Sequence, residues 1–253
     1  NLQNIPIKYE MGREIRKIFI PEEQGDILLS CDYSQIELRV LAHMAEDENM
    51  INAFKHHSDI HRKTASEVFN VPVEEVTPLM RSRAKAVNFG IVYGISDFSL
   101  AQDLKITKKE ASEYMQIYFD RYPKIKSYLA EVVEKAKENG YVLTILNRRR
   151  FIPEIKSSNK IVKALGERLA MNAPIQGSAA DIIKLAMVKV YNRLKKEKLN
   201  SEMILQVHDE LILNVKENEL EVVKALVKEE MENVLKMSVK LDIDENIGNT
   251  WYE

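Results

Sequence analysis

Two acidic positions lie at the ends of apolar runs that are typical of buried strands. One run starts at position 27 and ends at Asp32, and the pair Asp209-Glu210 lies between two further apolar runs. Neighbouring strands would bring such carboxylates close together. Hard cations such as Mg²⁺ take oxygen ligands, usually one or two carboxylates plus substrate phosphates, and a pair of such ions promotes phosphoryl transfer. Acidic residues also end strands without any metal role, so both interpretations stay open at this point.

A second group combines cations with aromatic rings within residues 81–94. Arg81, Lys85 and Phe89 recur at every fourth position and therefore share one face of a predicted helix, with Tyr93 further round it. The segment contains no acidic residue, so its two cations would repel each other unless an anion such as a polyphosphate lies beside them. Phe89 and Tyr93 would then offer flat surfaces to a base and a sugar. Periodicity alone favours the alternative, a solvated helix whose aromatic rings face the core.

The elements that must position these residues alternate between strand and helix patterns. Strand patterns occupy residues 27–32, 203–207, 211–215 and 141–145, and the tail 239–253 is a candidate edge strand. Helical patterns occupy residues 35–45, most of 60–139, 161–198 and 219–235. Because most strands lie in the flanks and the helices fill the middle, we predict an α+β chain with a helical insertion.

Local signals mark the ends of several elements. Thr107 followed by Glu110 predicts a capping box, and Pro123 predicts a helix break or restart. Gly140 is expected to end a helix, and residues 147–150 are expected to form a basic turn after the strand that follows. Residues 208–210 are expected at the tip of a hairpin.

Charge is unevenly distributed along the 253 residues, whose formal net charge is −2. Residues 60–175 contain 20 basic and 13 acidic residues, a net of +7, and the flanks contain 17 and 26, a net of −9. A small overall charge read alone would argue against a nucleic-acid partner, but this asymmetry indicates an inserted lobe with its own electrostatic task. No apolar run approaches the roughly 20 residues of a membrane helix, so no membrane partner is predicted.

Three ordered motifs carry a resemblance to a known family. The segment Asp32-Tyr33-Ser34-Gln35-Ile36-Glu37-Leu38-Arg39 resembles motif A of the family A DNA polymerases, the bacterial DNA polymerase I group. Arg81, Lys85, Phe89 and Tyr93-Gly94 resemble motif B, carried on the O helix of the fingers, and Gln206-Val207-His208-Asp209-Glu210 resembles motif C. Further matching stretches are residues 1–6, 140–153 and 172–177. The likeness runs over the whole chain.

The resemblance implies roles in nucleotidyl transfer. Asp32 and Asp209 would bind two Mg²⁺ ions, for which Mn²⁺ is expected to substitute, with the backbone carbonyl of Tyr33 as a further ligand. Glu210 and Lys85 complete the implied catalytic set. Among the implied dNTP-binding residues, Arg81 and Lys85 would bind the triphosphate, and His61 would add a further phosphate contact. Phe89, Tyr93 and Gln35 would lie around the nucleotide. Glu37, paired with Tyr93, would be the steric gate against a 2′-hydroxyl. The implied DNA contacts are Asn1, Asn4, Arg149, Arg168, Asn172, Gln176 and His208.

The family's organisation implies a palm sheet interrupted by helical fingers. We expect residues 1–58 to form the first part of the palm, 59–172 the fingers and 173–253 the second part of the palm. The family's thumb and exonuclease domain have no counterpart in the sequence, so the fragment is expected to hold DNA poorly by itself. The implied partners are primer-template DNA and dNTPs, and we expect a monomer in the bacterial cytoplasm, at the nucleoid.

Two other functions remain open. A fragment that binds DNA without turnover would keep the same sequence. A single-subunit RNA polymerase core would share the palm and a motif B helix, but Glu37 argues against it because those enzymes carry a small residue at the gate position.

Overall fold

The computed structural model describes residues 2–5, 10–55 and 59–252. The strands in chain order are β1 Ile27–Tyr33, β2 Tyr141–Leu143, β3 Arg149–Phe151, β4 Glu202–Val207, β5 Glu210–Val215 and β6 Ile243–Gly248. The α-helices are α1 Glu10–Glu14, α2 Ile36–Ala45, α3 Glu48–Lys55, α4 Ile60–Val68, α5 Pro78–Val92, α6 Asp97–Leu104, α7 Lys108–Arg121, α8 Pro123–Asn139, α9 Lys160–Lys196 and α10 Leu220–Glu232. Within these ranges no helix has the length and apolar character needed to cross a membrane.

The chain divides into two compact units. The first consists of residues 1–36, 180–236 and 241–253, and the second of residues 37–179 and 237–240. We predicted boundaries between palm and fingers after residues 58 and 172. These boundaries separate functional subdomains, and the division into compact units does not test them. They stay a prediction.

The first unit is built on an antiparallel sheet with the strand order β4-β5-β1-β6. Successive side chains of a strand point to opposite faces. In β1 this buries Leu29, Cys31 and Tyr33 on the face towards α10, a helix that contacts β1 and β6. The Tyr33 hydroxyl donates a hydrogen bond of 2.7 Å to the carbonyl oxygen of Met231 in this helix. Ser30 and Asp32 therefore lie on the opposite face of the sheet.

The hairpin predicted around residues 208–210 is present, with one difference in its bounds. His208 adopts a left-handed φ of 55°, which closes the tight turn between β4 and β5. Glu210 is the first residue of β5 and not part of the turn. The predicted edge strand is also present as β6, although it covers only the middle of the tail.

The second unit is mostly helical, and its helices begin where hydroxyl or carboxylate side chains cap them. Asp59 accepts hydrogen bonds from the backbone N–H groups of His61 and Arg62 at the start of α4, and Thr77 caps α5. The predicted capping box of Thr107 and Glu110 opens α7. The predicted helix end at Gly140 is confirmed, because this residue ends α8 with a φ of 78° that favours glycine.

The prediction of a basic turn over residues 147–150 is wrong in its second half. Arg149 and Arg150 belong to β3, where they pair with Leu143 and Val142 of β2. The turn lies earlier, because the Thr144 N–H donates to the Arg148 carbonyl and Asn147 takes a left-handed φ of 59°. Sequence spacing missed this because residues 145 and 146 are apolar although they lie in the turn.

Helix α9 approaches the short helix at residues 153–156 very closely at Gly166. A Cβ atom added to Gly166 would lie 2.5 Å from the backbone nitrogen of Ile155 and 2.8 Å from its Cα. Backbone atoms at such distances cannot turn aside as a flexible side chain can. Glycine at this position is therefore required by packing, although it weakens the helix itself.

We expect Gly166→Ala to lower the free energy of unfolding by about 1 to 3 kcal/mol, because overpacking outweighs the gain in helix propensity. Urea denaturation, monitored by circular dichroism, measures this change in the free energy of unfolding. The matched control is Lys163→Ala, an exposed position of the same helix, which should change the stability by less than about 0.5 kcal/mol. A stabilised Gly166→Ala variant would show that the close approach does not exist.

Candidate functional site

Pairing between β1 and β5 brings the predicted carboxylates of the first unit together. Asp32 is directly opposite Glu210 in β5, and opposite Asp244 in β6 on its other side. Asp209, in the adjacent turn, shares a side-chain hydrogen bond with Asp32, and its backbone carbonyl accepts the N–H of Tyr33 at 3.2 Å. The structure therefore joins two positions that are 177 residues apart in the sequence.

Burial and mutual repulsion disfavour the charged forms of this pair. Burial, followed by the charges of Asp209 and Glu210, raises the pKa of Asp32 to about 7. Burial also raises the pKa of Asp209 above its ordinary value. The pair therefore tends to keep a proton near neutral pH, and a bound cation would relieve the repulsion between the two ionised carboxylates.

The donor set fits a hard divalent cation. The Oδ1 atom of Asp32 is buried and accepts no hydrogen bond from any described group. Within the described ranges no three His, Cys, Asp or Glu side chains are arranged to hold a metal by themselves. Two carboxylates completed by backbone and phosphate oxygens match the usual coordination of Mg²⁺. Asp32 and Asp209 would hold the ion, and the buried Tyr33 side chain leaves only its backbone carbonyl for such a role.

Glu210 is held by contacts that sequence reasoning did not find. Its Oε1 atom accepts hydrogen bonds from the Ser30 hydroxyl and from the Trp251 indole N–H, the latter at 3.0 Å. The guanidinium of Arg16 lies 4.1 Å from the centre of the Trp251 ring. Trp251 is buried, and its being the only tryptophan of the chain is the sequence signal that could have drawn attention to it.

Helix α5 of the second unit presents the predicted cations and rings. Lys85 is exposed, and its ammonium nitrogen lies 5.8 Å from the centre of the half-buried Phe89 ring. Phe89 and Tyr93 are stacked, with centroids 6.3 Å apart and an angle of 22° between planes. Among the described residues no acidic side chain forms an ion pair with Lys85. One cation and two rings of this face are thus arranged as predicted.

Arg81 has an acidic partner that lies outside its own segment, in which the sequence contains no acidic residue. Its Nε atom lies 2.6 Å from Oδ2 of Asp59, a residue outside the segment 81–94. Burial opposes ionisation of Asp59, but the hydrogen bonds from Arg81 and from the backbone N–H of Arg62 together with the charge of Arg81 outweigh it, and the pKa of Asp59 is lowered. Asp59 thus caps α4 and holds Arg81 at once. Its position as the N-cap before a helical pattern is the local signal that could have identified it.

The predicted partnership of Glu37 and Tyr93 is present as a contact. The Tyr93 hydroxyl donates a hydrogen bond of 2.9 Å to Oε2 of Glu37. Gln35, two residues earlier, has a left-handed φ of 53°, and its side-chain oxygen is buried without a hydrogen bond from any described group. The contact fixes Glu37 beside the aromatic pair, and the gate role itself remains a prediction.

His61 is buried rather than open to solvent. It is only 2 % exposed, its ring lies 5.7 Å from that of Phe89, and its Nδ1 atom is 2.8 Å from the side-chain nitrogen of Asn88. Burial, with the charges of Arg81 and Lys85, lowers the pKa of His61 to about 4. The imidazole of His61 is therefore neutral in this structure. A phosphate contact would have to be made by the neutral ring and not by a charged one.

The predicted DNA-contacting residues are spread over both units. Arg168, Asn172 and Gln176 lie on one face of α9, with Arg168 and Gln176 exposed and Asn172 half-buried. Asn4 is exposed, and the exposed His208 donates from Nε2 to the carbonyl oxygen of Gln3 at 3.1 Å. Arg149 lies over the Tyr141 ring at 4.9 Å. Asn1 lies outside the described residues.

Comparison with known proteins identifies the class. All residues, 1–253, match the family model described as DNA polymerase family A, and the chain belongs to this family. The resemblance drawn from the three motifs and the α+β fold class are thereby confirmed. The roles of individual site residues remain predictions.

The relatives show how much of a longer protein the chain represents. It is 57% identical over 253 residues to the DNA polymerase I of Caldicellulosiruptor bescii and 54% identical to that of Geobacillus stearothermophilus. Each match covers 100% of this chain and 30% or 29% of the relative, so the chain spans less than a third of their length. The POL domain of Pol1 from M. smegmatis, solved in complex with DNA primer-template and dNTP, is 47% identical with a TM-score of 0.96. That match covers all of this chain and 44% of the solved one.

The buried neutral His61 predicts a specific pH dependence. Its folded pKa of about 4 is below the ordinary value, so protonation favours the unfolded chain, and stability is lost as the pH falls from about 6.5 towards 4. Between pH 7 and pH 5 the wild type should lose about 2 kcal/mol more unfolding free energy than His61→Gln. Urea denaturation of both proteins at the two pH values measures this, and parallel losses would contradict the buried neutral state.

Proposed function

We propose that the chain is the catalytic part of a template-directed DNA polymerase, which transfers nucleotides from dNTPs to a primer 3′-hydroxyl and releases pyrophosphate. The observation that carries the proposal is the half-buried pair Asp32 and Asp209, which share a hydrogen bond where the pairing of β1 with β5 brings the turn before β5 beside Asp32. Membership of family A supports it, as do the relatives named DNA polymerase I and the bound primer-template and dNTP of the solved relative.

The carboxylate pair supplies positioned negative charge in this mechanism. Asp32 and Asp209 would hold two Mg²⁺ ions, which would supply the positive charge that activation of the primer hydroxyl and departure of pyrophosphate require. Asp32 and Asp209 hold the site, and Glu210 supports it through its contacts with Ser30 and Trp251. Phosphoryl transfer needs little covalent help from a protein, so positioning and charge account for most of the acceleration.

Helix α5 binds the incoming nucleotide in the proposed mechanism. Lys85, exposed and without an acidic partner among the described residues, contacts the triphosphate and neutralises charge that develops there. Arg81 contacts the same group through its terminal nitrogens while Asp59 holds its Nε atom. Phe89 and Tyr93 pack against sugar and base. Phenylalanine at position 89 is the family residue that disfavours dideoxynucleotides.

In the proposed mechanism, Glu37 makes the polymerase prefer deoxyribonucleotides over ribonucleotides. Its carboxylate is held by the Tyr93 hydroxyl, so it would block a 2′-hydroxyl rather than swing aside. This is the feature that separates the proposal from a single-subunit RNA polymerase.

The DNA and the cellular setting complete the proposal. Arg168, Asn172 and Gln176 on α9 contact the duplex near the primer terminus, mostly through the minor groove. His208, Asn4, Asn1 and Arg149 supply further contacts, and cation contacts to phosphates make binding sensitive to salt. We propose a monomer in the bacterial cytoplasm that uses Mg²⁺, with Mn²⁺ as a substitute.

We expect Asp32→Asn and Asp209→Asn each to reduce primer extension roughly a thousandfold or more, equivalent to about 4 kcal/mol of transition-state stabilisation. Neither should lower stability, because each removes a carboxylate that burial disfavours. Single-turnover extension of a short primer-template with dNTPs and Mg²⁺ by the 253-residue chain measures the effect.

The matched control is Asp244→Asn, an exposed carboxylate opposite Asp32 in β6, which should extend primers at a near-normal rate. Near-normal extension by Asp32→Asn or Asp209→Asn would contradict the metal-binding role. Duplex binding by the wild-type chain without any extension would instead identify a DNA-binding module.

We expect Glu37→Ala to increase incorporation of ribonucleotides relative to deoxyribonucleotides by about 100-fold or more, the loss of about 3 kcal/mol of discrimination. The ratio of kcat/KM for dATP and ATP opposite the same template base measures this. Tyr93→Phe, which removes only the hydroxyl that holds Glu37, should relax discrimination less. An unchanged ratio in Glu37→Ala would show that Glu37 is not the gate.

A further inference from the structure

A chain of buried polar side chains lies beneath the exposed face of α5. Thr64 of α4, Asn88 of α5 and His61 of α4 are each at most 2 % exposed. The Thr64 hydroxyl donates to Oδ1 of Asn88 at 3.2 Å, and Nδ2 of Asn88 is 2.8 Å from Nδ1 of His61. Buried polar groups are costly without partners, so these contacts restrict one another's orientation.

The direction of the first hydrogen bond determines the second. Because Oδ1 of Asn88 accepts from Thr64, the amide nitrogen is turned towards His61. An amide NH₂ group only donates, so Nδ1 of His61 must be an acceptor and carry no proton. A neutral imidazole has one N–H, and the remaining position is Nε2.

The surroundings of the ring keep it neutral. Arg81 and Lys85 oppose a further positive charge, Asp59 favours one, and burial outweighs Asp59. The ring also lies beside Phe89, on the helix that carries both cations. A neutral N–H donor can bind an anionic oxygen there without the cost of burying a third cation.

We propose that Asn88 is a positioning residue that holds His61 as the neutral Nε2–H tautomer, so that this ring offers a single donor to a triphosphate oxygen. The inference rests on the proposed function for its ligand, a nucleoside triphosphate, but the tautomer is a property of the nucleotide-free protein. Asn88 does not touch the nucleotide in this proposal; it acts through His61.

The tautomer is measured directly by two-bond ¹H–¹⁵N correlation spectra of the histidine rings in the 253-residue chain. The His61 signals are assigned by their loss in His61→Gln. The expected result is a protonated Nε2 and an unprotonated Nδ1. Asn88→Asp places an accepting carboxylate opposite Nδ1, so it should move the proton from Nε2 to Nδ1; a ring that keeps its Nε2 proton in this variant would count against the proposal. A wild-type Nδ1–H form, or an unaltered ring in Asn88→Asp, would overturn the proposal.

Thr64→Val provides a second variant if Asn88→Asp does not fold. It removes the hydroxyl that orients the amide while nearly keeping the shape of the side chain. We expect both neutral tautomers of His61 to be populated in this variant. A ring that stays entirely in the Nε2–H form would show that the hydrogen bond from Thr64 does not set the orientation of Asn88, and would overturn the proposed chain.

Titration with dATP and Mg²⁺ tests the ligand separately from turnover. The His61 Nε2 proton should shift on addition of dATP in the wild type, and the dissociation constant should rise about 10-fold or more in Asn88→Asp while duplex binding is unchanged. His61→Asn should weaken dATP binding more than His61→Gln, whose amide reaches further towards the Nε2 position. Equal dATP affinities in wild type and Asn88→Asp would overturn the proposal.

These measurements separate the two inferences. A chain that shows the expected tautomer and the expected dATP shifts but never extends a primer supports the role of Asn88 and contradicts the polymerase proposal. Normal extension with an unaltered dATP affinity in Asn88→Asp does the reverse.

Discussion

The carboxylates at the end of β1 impose the constraint on which the first unit depends. Asp32 and Asp209 lie close enough to share a hydrogen bond, in a setting where burial already disfavours their charge. The sheet stabilises this arrangement, because its register fixes Glu210 opposite Asp32. Packing against α10, which buries the alternate residues of β1, stabilises it further. A site that is unfavourable without a cation is well suited to bind one.

In the second unit the clustered charge is positive, and its side chains are arranged differently. Arg81 and Lys85 share one face of α5, yet only Arg81 has an acidic partner among the described residues. Asp59 therefore neutralises half of the local positive charge and leaves Lys85 for an anion. The overall net charge of −2 conceals this, because a region rich in basic residues and a region rich in carboxylates cancel in the sum.

Buried polar side chains decide the finer chemistry beneath that helix. Thr64 and Asn88 have no place in the sequence motifs, yet their hydrogen bonds determine which nitrogen of His61 bears the proton. A histidine in a motif is easily imagined as a cation beside phosphate. Burial makes it a neutral donor instead, which changes both its pH dependence and the kind of contact it can make.

Sequence alone determined the family, the fold class, the hairpin and capping signals, and the residue types of the site, because motif spacing and side-chain periodicity are local properties. Sequence analysis did not predict the extent of β3, because the apolar residues of the preceding turn have the pattern of a strand. Only the tertiary structure decided that β1 pairs with β5, that Asp59 holds Arg81, and that Asn88 orients His61. These contacts join residues 22 to 188 positions apart, and packing between whole elements selects such partners.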